Sequence, residues 1–198
     1  MNSPTLKRDW KAYYDIVADR PPRKTILTAL AAFEQPGIAV DLGCGAGRDT
    51  VEILRQNWAV LAIDREPDAI HRLLARPNLN TLQLTTQIVG FEEVQLPKSV
   101  DLINASFSIP FCSPEVFPTL WNQIFNSLVT GGRFCGHLFG DRDSWGNSEL
   151  INCFTRSQVE TLLKPYEIEL LEEEEHPGKT PLGEDRDWHI FHIVARKK

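Results

Sequence analysis

The chain has 198 residues, 42% of them apolar, and a formal net charge of −6 from 21 basic and 27 acidic residues. That is about one domain's worth of chain, able to bury roughly 70% of the surface its unfolded form exposes without disulfides or a metal. A disulfide miniprotein, a collagen-like chain and a disordered chain are excluded, and the acidic balance disfavours a nucleic-acid backbone as partner.

Cys44, Cys112, Cys135 and Cys153 show neither C-x-x-C pairing nor metal-ligand spacing. They read as free thiols of a reducing compartment. The N-terminus is polar and charged, and the longest mainly apolar stretch, residues 26–33, is too short to span a membrane. The expectation is a soluble, cytoplasmic, single-domain protein of residues 1–198, monomeric or homodimeric, with no membrane or metal site.

Residues 1–24 form a mildly basic arm that carries Trp10, Tyr13 and Tyr14 and could fold over a site as a lid. A helix is predicted over residues 23–33, ended by Pro36-Gly37. Short apolar runs at 38–42, 58–63, 79–85, 100–105 and 133–139 read as strands. Helical patterns separate most of them, at 49–57 and from Pro67 to just before Pro77. Another helix takes Ser113 as N-cap and Pro114 as first helical residue, with an apolar stripe through Leu120, Trp121 and Ile124, and stops at Gly131-Gly132. Thr155 to Gln158 is a capping-box pattern opening a helix that Pro165 stops. Strands at 166–171 and 188–195 close the chain around a turn-rich loop, 177–187, with the acidic run 172–175 on a solvated edge.

Strands alternating with helices imply crossovers and a mainly parallel sheet covered on both faces. The last two strands have no helix between them, so a hairpin should reverse the final one. The fold class is α/β: a Rossmann-like three-layer sandwich, its seven-stranded sheet mainly parallel with an antiparallel last strand.

The segment Val40-Asp41-Leu42-Gly43-Cys44-Gly45-Ala46-Gly47-Arg48-Asp49 runs from a buried strand through three alternate glycines into a helix. Such a loop lies at the carboxyl edge of the sheet, where open α/β folds bind ligands. Twenty-three residues after Asp41, Asp64 ends the second strand, where a carboxylate can accept both ribose hydroxyls of an adenosine. A dinucleotide fold wants G-x-G-x-x-G, but Arg48 stands at the third position, and Asp41 would repel a pyrophosphate. The acid suits a cationic or zwitterionic cofactor instead.

Residues 40–50, VDLGCGAGRDT, resemble the first motif of the class I S-adenosylmethionine-dependent methyltransferases. AIDRE (62–66), DLINASFSIPF (101–111) and LVTGGRF (128–134) resemble that superfamily's second-strand acidic motif, fourth-strand segment and turn before the fifth strand. The short arm and GAGRD are most similar to the small tellurite-resistance and thiopurine methyltransferase branch. The resemblance implies S-adenosylmethionine as cofactor. Gly43, Cys44, Gly45 and Gly47 would approach its methionine part, and Asp41 would orient the loop or the amino group. Asp64 would bind the ribose and Arg65 would flank the adenine. Asn104, Ala105 and Ser106 would surround the sulfonium end. Many relatives carry an acid after the third strand to bind the adenine amino group. Here the expected place reads Thr85-Thr86-Gln87, leaving Thr86 or Gln87 as substitutes.

Methyl transfer from a sulfonium needs alignment and exclusion of water, and a base only if the acceptor must lose a proton. Asp141 and His189 are the candidates for that base. Tyr13, Tyr14, Phe107, Phe111, Trp145 and Trp188 are expected to wall a small-molecule pocket. Three alternatives stand beside a small-molecule methyltransferase: methylation of a macromolecule, a cofactor-binding module without catalysis, and a nicotinamide oxidoreductase, which Arg48 and Asp41 oppose.

Overall fold

A computed structural model describes residues 9–17, 19–146 and 148–198. Among the described residues eight strands form one sheet: β1 (Ile38–Leu42), β2 (Ala59–Asp64), β3 (Leu84–Ile88), β4 (Val100–Ala105), β5 (Leu128–Gly140), β6 (Cys153–Phe154), β7 (Tyr166–Lys179) and β8 (Asp185–Lys197). Their order is β3-β2-β1-β4-β5-β8-β7, with the two-residue β6 beside β5. Strands β1 to β5 pair in parallel, while β8 lies antiparallel between β5 and β7. The expected Rossmann-like sheet of seven main strands with a reversed last strand is therefore present, and β6 is an addition.

The helices are α1 (Trp10–Val17), α2 (Lys24–Ala31), α3 (Arg48–Arg55), α4 (Pro67–Leu74), α5 (Phe117–Ser127) and α6 (Arg156–Leu163). Alternation along the strands feeds two cores. Ala39, Val60 and Leu102 face Ile26 of α2, Ile53 of α3 and Leu73 of α4. Val40, Ile103 and Phe134 face Leu120 and Ile124 of α5 and Val159 of α6. Leu120, Ile124 and Phe134 are fully buried, each contributing about 1.5–3 kcal/mol of apolar burial. Thr155 caps α6 in the expected capping box with Gln158.

Five local expectations are corrected. The arm forms helix α1 over Trp10–Val17, and its first eight residues lie outside the described chain. The third strand starts at Leu84, not residue 79: Thr81–Gln83 is a 3-10 turn that leaves Leu82 98% exposed. Helix α5 starts at Phe117, because Ser113 instead heads a turn that accepts the Val116 and Phe117 amides. Gly131-Gly132 does not end that helix. Val100 pairs with Leu128 and Leu102 with Arg133, so the two glycines lie in a bulge of β5, and Gly131 takes a φ of +83°. Finally, 177–187 is mostly strand. β7 is an edge strand, where Pro177 needs no amide, and the hairpin closes at residues 180–184.

Candidate functional site

Between β1 and α3 the backbone takes positive φ at Gly43 (76°), Gly45 (53°) and Gly47 (81°). Side chains disfavour this region, so the alternate glycines follow from the path of the loop. The Gly43 and Cys44 amides donate to the Ile63 carbonyl at 2.8 and 2.9 Å, fastening the loop to the end of β2. A Cβ on Gly43 would lie 2.3 Å from that of Ser108, whose hydroxyl donates to the Leu42 carbonyl. A Cβ on Gly47 would lie 2.3 Å from Leu73 Cδ1. Gly47 thus permits α3 and α4 to pack, and it does not line the cavity described below.

Two carboxylates flank the loop. Asp41 is 2% exposed and accepts the Thr50 hydroxyl at 2.5 Å and the Asn104 amide at 2.8 Å. Burial and the neighbouring Asp49 carboxylate push its pKa up to about 7, against the pull of those two hydrogen bonds. Asp64 accepts the Gly45 and Glu66 amides at 2.8 and 2.9 Å, and burial raises its pKa. Asn104 joins β4 to this network: its carbonyl accepts the Ser106 hydroxyl at 2.9 Å.

One cavity of about 760 Å³ opens at this edge of the sheet. Of the expected cofactor residues it brings together Asp41, Gly43, Cys44, Gly45, Asp64, Arg65 and Ser106. Asn104 and Ala105 lie behind it, fully buried in β4. Thr86 and Gln87 lie on β3 away from it, because that strand runs later than the sequence pattern indicates. Residues 89–92 line the cavity instead, and among them Glu92 is an acid after the third strand. The sequence carries that signal as Glu92, four residues beyond the end of β3.

The other half of the cavity is aromatic. Tyr13, Phe107, Phe111 and Trp188 line it, as does Tyr14, whose Cε1 would meet a Cβ on Gly45 at 3.3 Å. Helix α1 therefore lies on the glycine loop, with Tyr14 and Ala46 in one small core and Asp15 paired to Arg72 of α4. Phe107 holds a φ of +56° and stacks on His137 at 4.0 Å. His137 is buried, and desolvation with the nearby Arg23 charge lowers its pKa. Trp145 lies outside the cavity lining, packed with Phe111 and Phe139.

Neither Asp141 nor His189 lines the cavity. Asp141 is exposed, and His189 is fully buried in β8, against Gly140 and with Nε2 2.9 Å from Glu173. Among the described residues no group of three or more His, Cys, Asp or Glu is placed to hold a metal ion, and no helix is long and apolar enough to cross a membrane.

Sequence reasoning missed the cations of the site: Arg20, Arg23, Arg48 and Arg186 all line the cavity. In the sequence Arg23 belongs to the basic arm and the start of a helix, and Arg48 to the GAGRD segment where a dinucleotide fold wants glycine; neither pattern marks a cavity cation.

The glycine loop, Asp64 and the strand order with its reversed member lie together on one sheet edge. The chain shares its Rossmann-like fold with solved S-adenosylmethionine-dependent methyltransferases. A family model described as a methyltransferase domain matches residues 39–132. TehB from Haemophilus influenzae superposes with a TM-score of 0.78 at 17% identity, over 94% of this chain and 66% of that one. The Burkholderia thailandensis 1,6-didemethyltoxoflavin-N1-methyltransferase, solved with bound 1,6-didemethyltoxoflavin and S-adenosylhomocysteine, superposes with a TM-score of 0.67 at 20% identity, over 100% of this chain and 93% of that one. The carboxy-S-adenosyl-L-methionine synthase of Stutzerimonas stutzeri (strain A1501) is 28% identical over 192 residues, 83% of this chain and 75% of its own. That of Sodalis glossinidius is 30% identical over 108 residues, 50% of this chain and 43% of its own. The chain thus spans less than two thirds of the Sodalis relative and of TehB.

Proposed function

We propose that the protein is an S-adenosylmethionine-dependent methyltransferase that moves a methyl group to a small-molecule nucleophile by in-line displacement. The observation that carries this reading is one cavity with the Gly45 backbone and two carboxylates, Asp41 and Asp64, at one end and aromatic walls at the other. Its volume of about 760 Å³ lies within the ~300–1,000 Å³ common for small-molecule sites. The short arm and the GAGRD segment favour the tellurite-resistance and thiopurine branch.

The residues fit the cofactor. The Gly43, Cys44 and Gly45 backbone would hold the methionine part, and Asp41 would favour its positive charge across Asn104 and Thr50. Asp64 keeps acceptor capacity beyond its two amide bonds and would take the ribose hydroxyls. Arg65 and residues 89–92 would flank the adenine, and Ser106 the sulfonium end.

When bound, the cofactor supplies a methyl group on a good leaving group. The chain's own work is alignment and exclusion of water. Helix α1 covers the glycine loop, and Phe107, Phe111 and Trp188 wall the acceptor's end. A soft anionic nucleophile needs no base, and neither Asp141 nor His189 is given one to supply. A thermal-shift comparison tests the reading: S-adenosylmethionine and S-adenosylhomocysteine should raise the melting temperature, while NAD and NADP should not. Equal stabilisation by NAD would overturn it.

A further inference from the structure

The acceptor's end of the cavity holds more positive charge than its aromatic walls suggest. Lys179 is paired to Asp185 at 2.6 Å and Arg186 to Asp143 at 2.8 Å. Arg23 and Arg48 differ: among the described residues neither forms an ion pair, and both line the cavity.

Each is held in place while part of its guanidinium keeps no hydrogen-bonded anion. The Arg23 backbone amide donates to Asp49 Oδ1 at 3.0 Å, and its guanidinium carbon lies 4.0 Å above the Phe107 ring centre. Arg48 donates from Nε to the Pro21 carbonyl at 2.6 Å, while its Nη1 is buried with no hydrogen-bond partner. Asp49, the carboxylate nearest in sequence, is occupied by the Arg23 amide and by Asn104 at 3.4 Å. Burial and the neighbouring Arg48 charge push the Arg23 pKa down to about 10. Two unpaired guanidinium groups beside one another are costly to desolvate, and a bound anion would offset that cost. A guanidinium fork matches a planar carboxylate, and the Phe107 ring, stacked on His137 at 4.0 Å, supports the Arg23 fork.

We propose that Arg23 and Arg48 form a receptor for an anionic group of the methyl acceptor, a carboxylate or a comparable oxyanion, set over Phe107. The proposal rests on the methyltransferase reading of the same cavity. The cofactor's own carboxylate has the same chemistry, so the test separates the two sources.

Calorimetry is run on wild type, Arg23→Gln, Arg23→Lys and Arg48→Gln, with melting temperatures confirming that each is folded. S-adenosylhomocysteine and 5′-methylthioadenosine, which lacks the amino-acid part, are titrated first. Each should bind the folded variants within about threefold of wild type. Benzoate, acetate and selenite are then titrated into protein saturated with S-adenosylhomocysteine. At least one should bind wild type saturably and weaken about tenfold or more in Arg23→Gln, with partial recovery in Arg23→Lys. If the glutamine variants lose S-adenosylhomocysteine but keep 5′-methylthioadenosine, the pair serves the cofactor and the acceptor assignment is overturned. Absence of saturable binding of all three anions to loaded wild type overturns it as well. Failure of wild type to bind S-adenosylhomocysteine would sink the parent reading, and the acceptor assignment with it, before any anion is added.

Discussion

Asp143 and Arg186 form a two-pronged ion pair, at 2.9 and 2.8 Å, with both side chains removed from solvent. The same carboxylate accepts the Trp145 and His189 amides, and the guanidinium lies 3.5 Å from the Trp145 ring centre and 3.8 Å from that of Trp188. The loop after β5 is thereby joined to the hairpin of β7 and β8, which carries one wall of the cavity. Removing one partner of a buried pair leaves an uncompensated charge, so Asp143→Asn should cost about 3–5 kcal/mol in urea unfolding. A loss below about 1 kcal/mol, the range of exposed pairs, would show that solvent reaches the pair.

Asp64→Ala should weaken S-adenosylmethionine binding by roughly 2–4 kcal/mol, the loss of charge-assisted hydrogen bonds in a buried site. It should also lower stability, because the Gly45 and Glu66 amides lose their acceptor. Calorimetry above the melting-point loss separates the two effects. Unchanged affinity in the folded variant would place the ribose elsewhere.

The raised pKa of Asp41 has a definite sign. Between its ordinary value of 3.8 and about 7, the folded chain holds a proton that the unfolded chain has lost. Its contribution to stability therefore falls as pH rises through that window and is level above it. A cationic ligand favours the carboxylate, so S-adenosylmethionine binding near pH 6.5 should release a fraction of a proton. Binding enthalpies in phosphate and Tris should differ accordingly, whereas uncharged 5′-methylthioadenosine should show a smaller difference. Equal enthalpies for S-adenosylmethionine in the two buffers would contradict the assignment.

What was legible in the sequence was local. The path from β1 through Gly43 and Gly45 to α3 depends on residues adjacent in the chain, and Asp64 ends a strand with clear apolar periodicity. Arg23 and Arg48 were not legible as a pair, because their roles arise where the α1–α2 connection crosses the start of α3. Thr86 and Gln87 were placed at the cavity by reading Leu79 and Leu82 as strand residues, although Leu82 faces solvent. His189 is expected at the site because a loop over 177–187 would start the last strand at Trp188, whereas an edge strand tolerates Pro177 and β8 already begins at Asp185.

Gly47 offers a test of structural against ligand-contacting roles within one motif. Its φ of +81° disfavours any side chain, and an added Cβ would meet Leu73 Cδ1 at 2.3 Å. Gly47→Ala should therefore destabilise the fold by about 2–4 kcal/mol, combining backbone strain with overpacking between α3 and α4. Because Gly47 does not line the cavity, S-adenosylhomocysteine affinity in the folded fraction should change by less than about threefold. Gly43→Ala should differ. Its Cβ would lie 2.3 Å from that of Ser108, at the cavity wall, and at a φ of +76°. Both stability and affinity should fall there. Urea unfolding and calorimetry on the two variants decide the matter: a large affinity loss in Gly47→Ala with unchanged stability would return that glycine to the cofactor's surface.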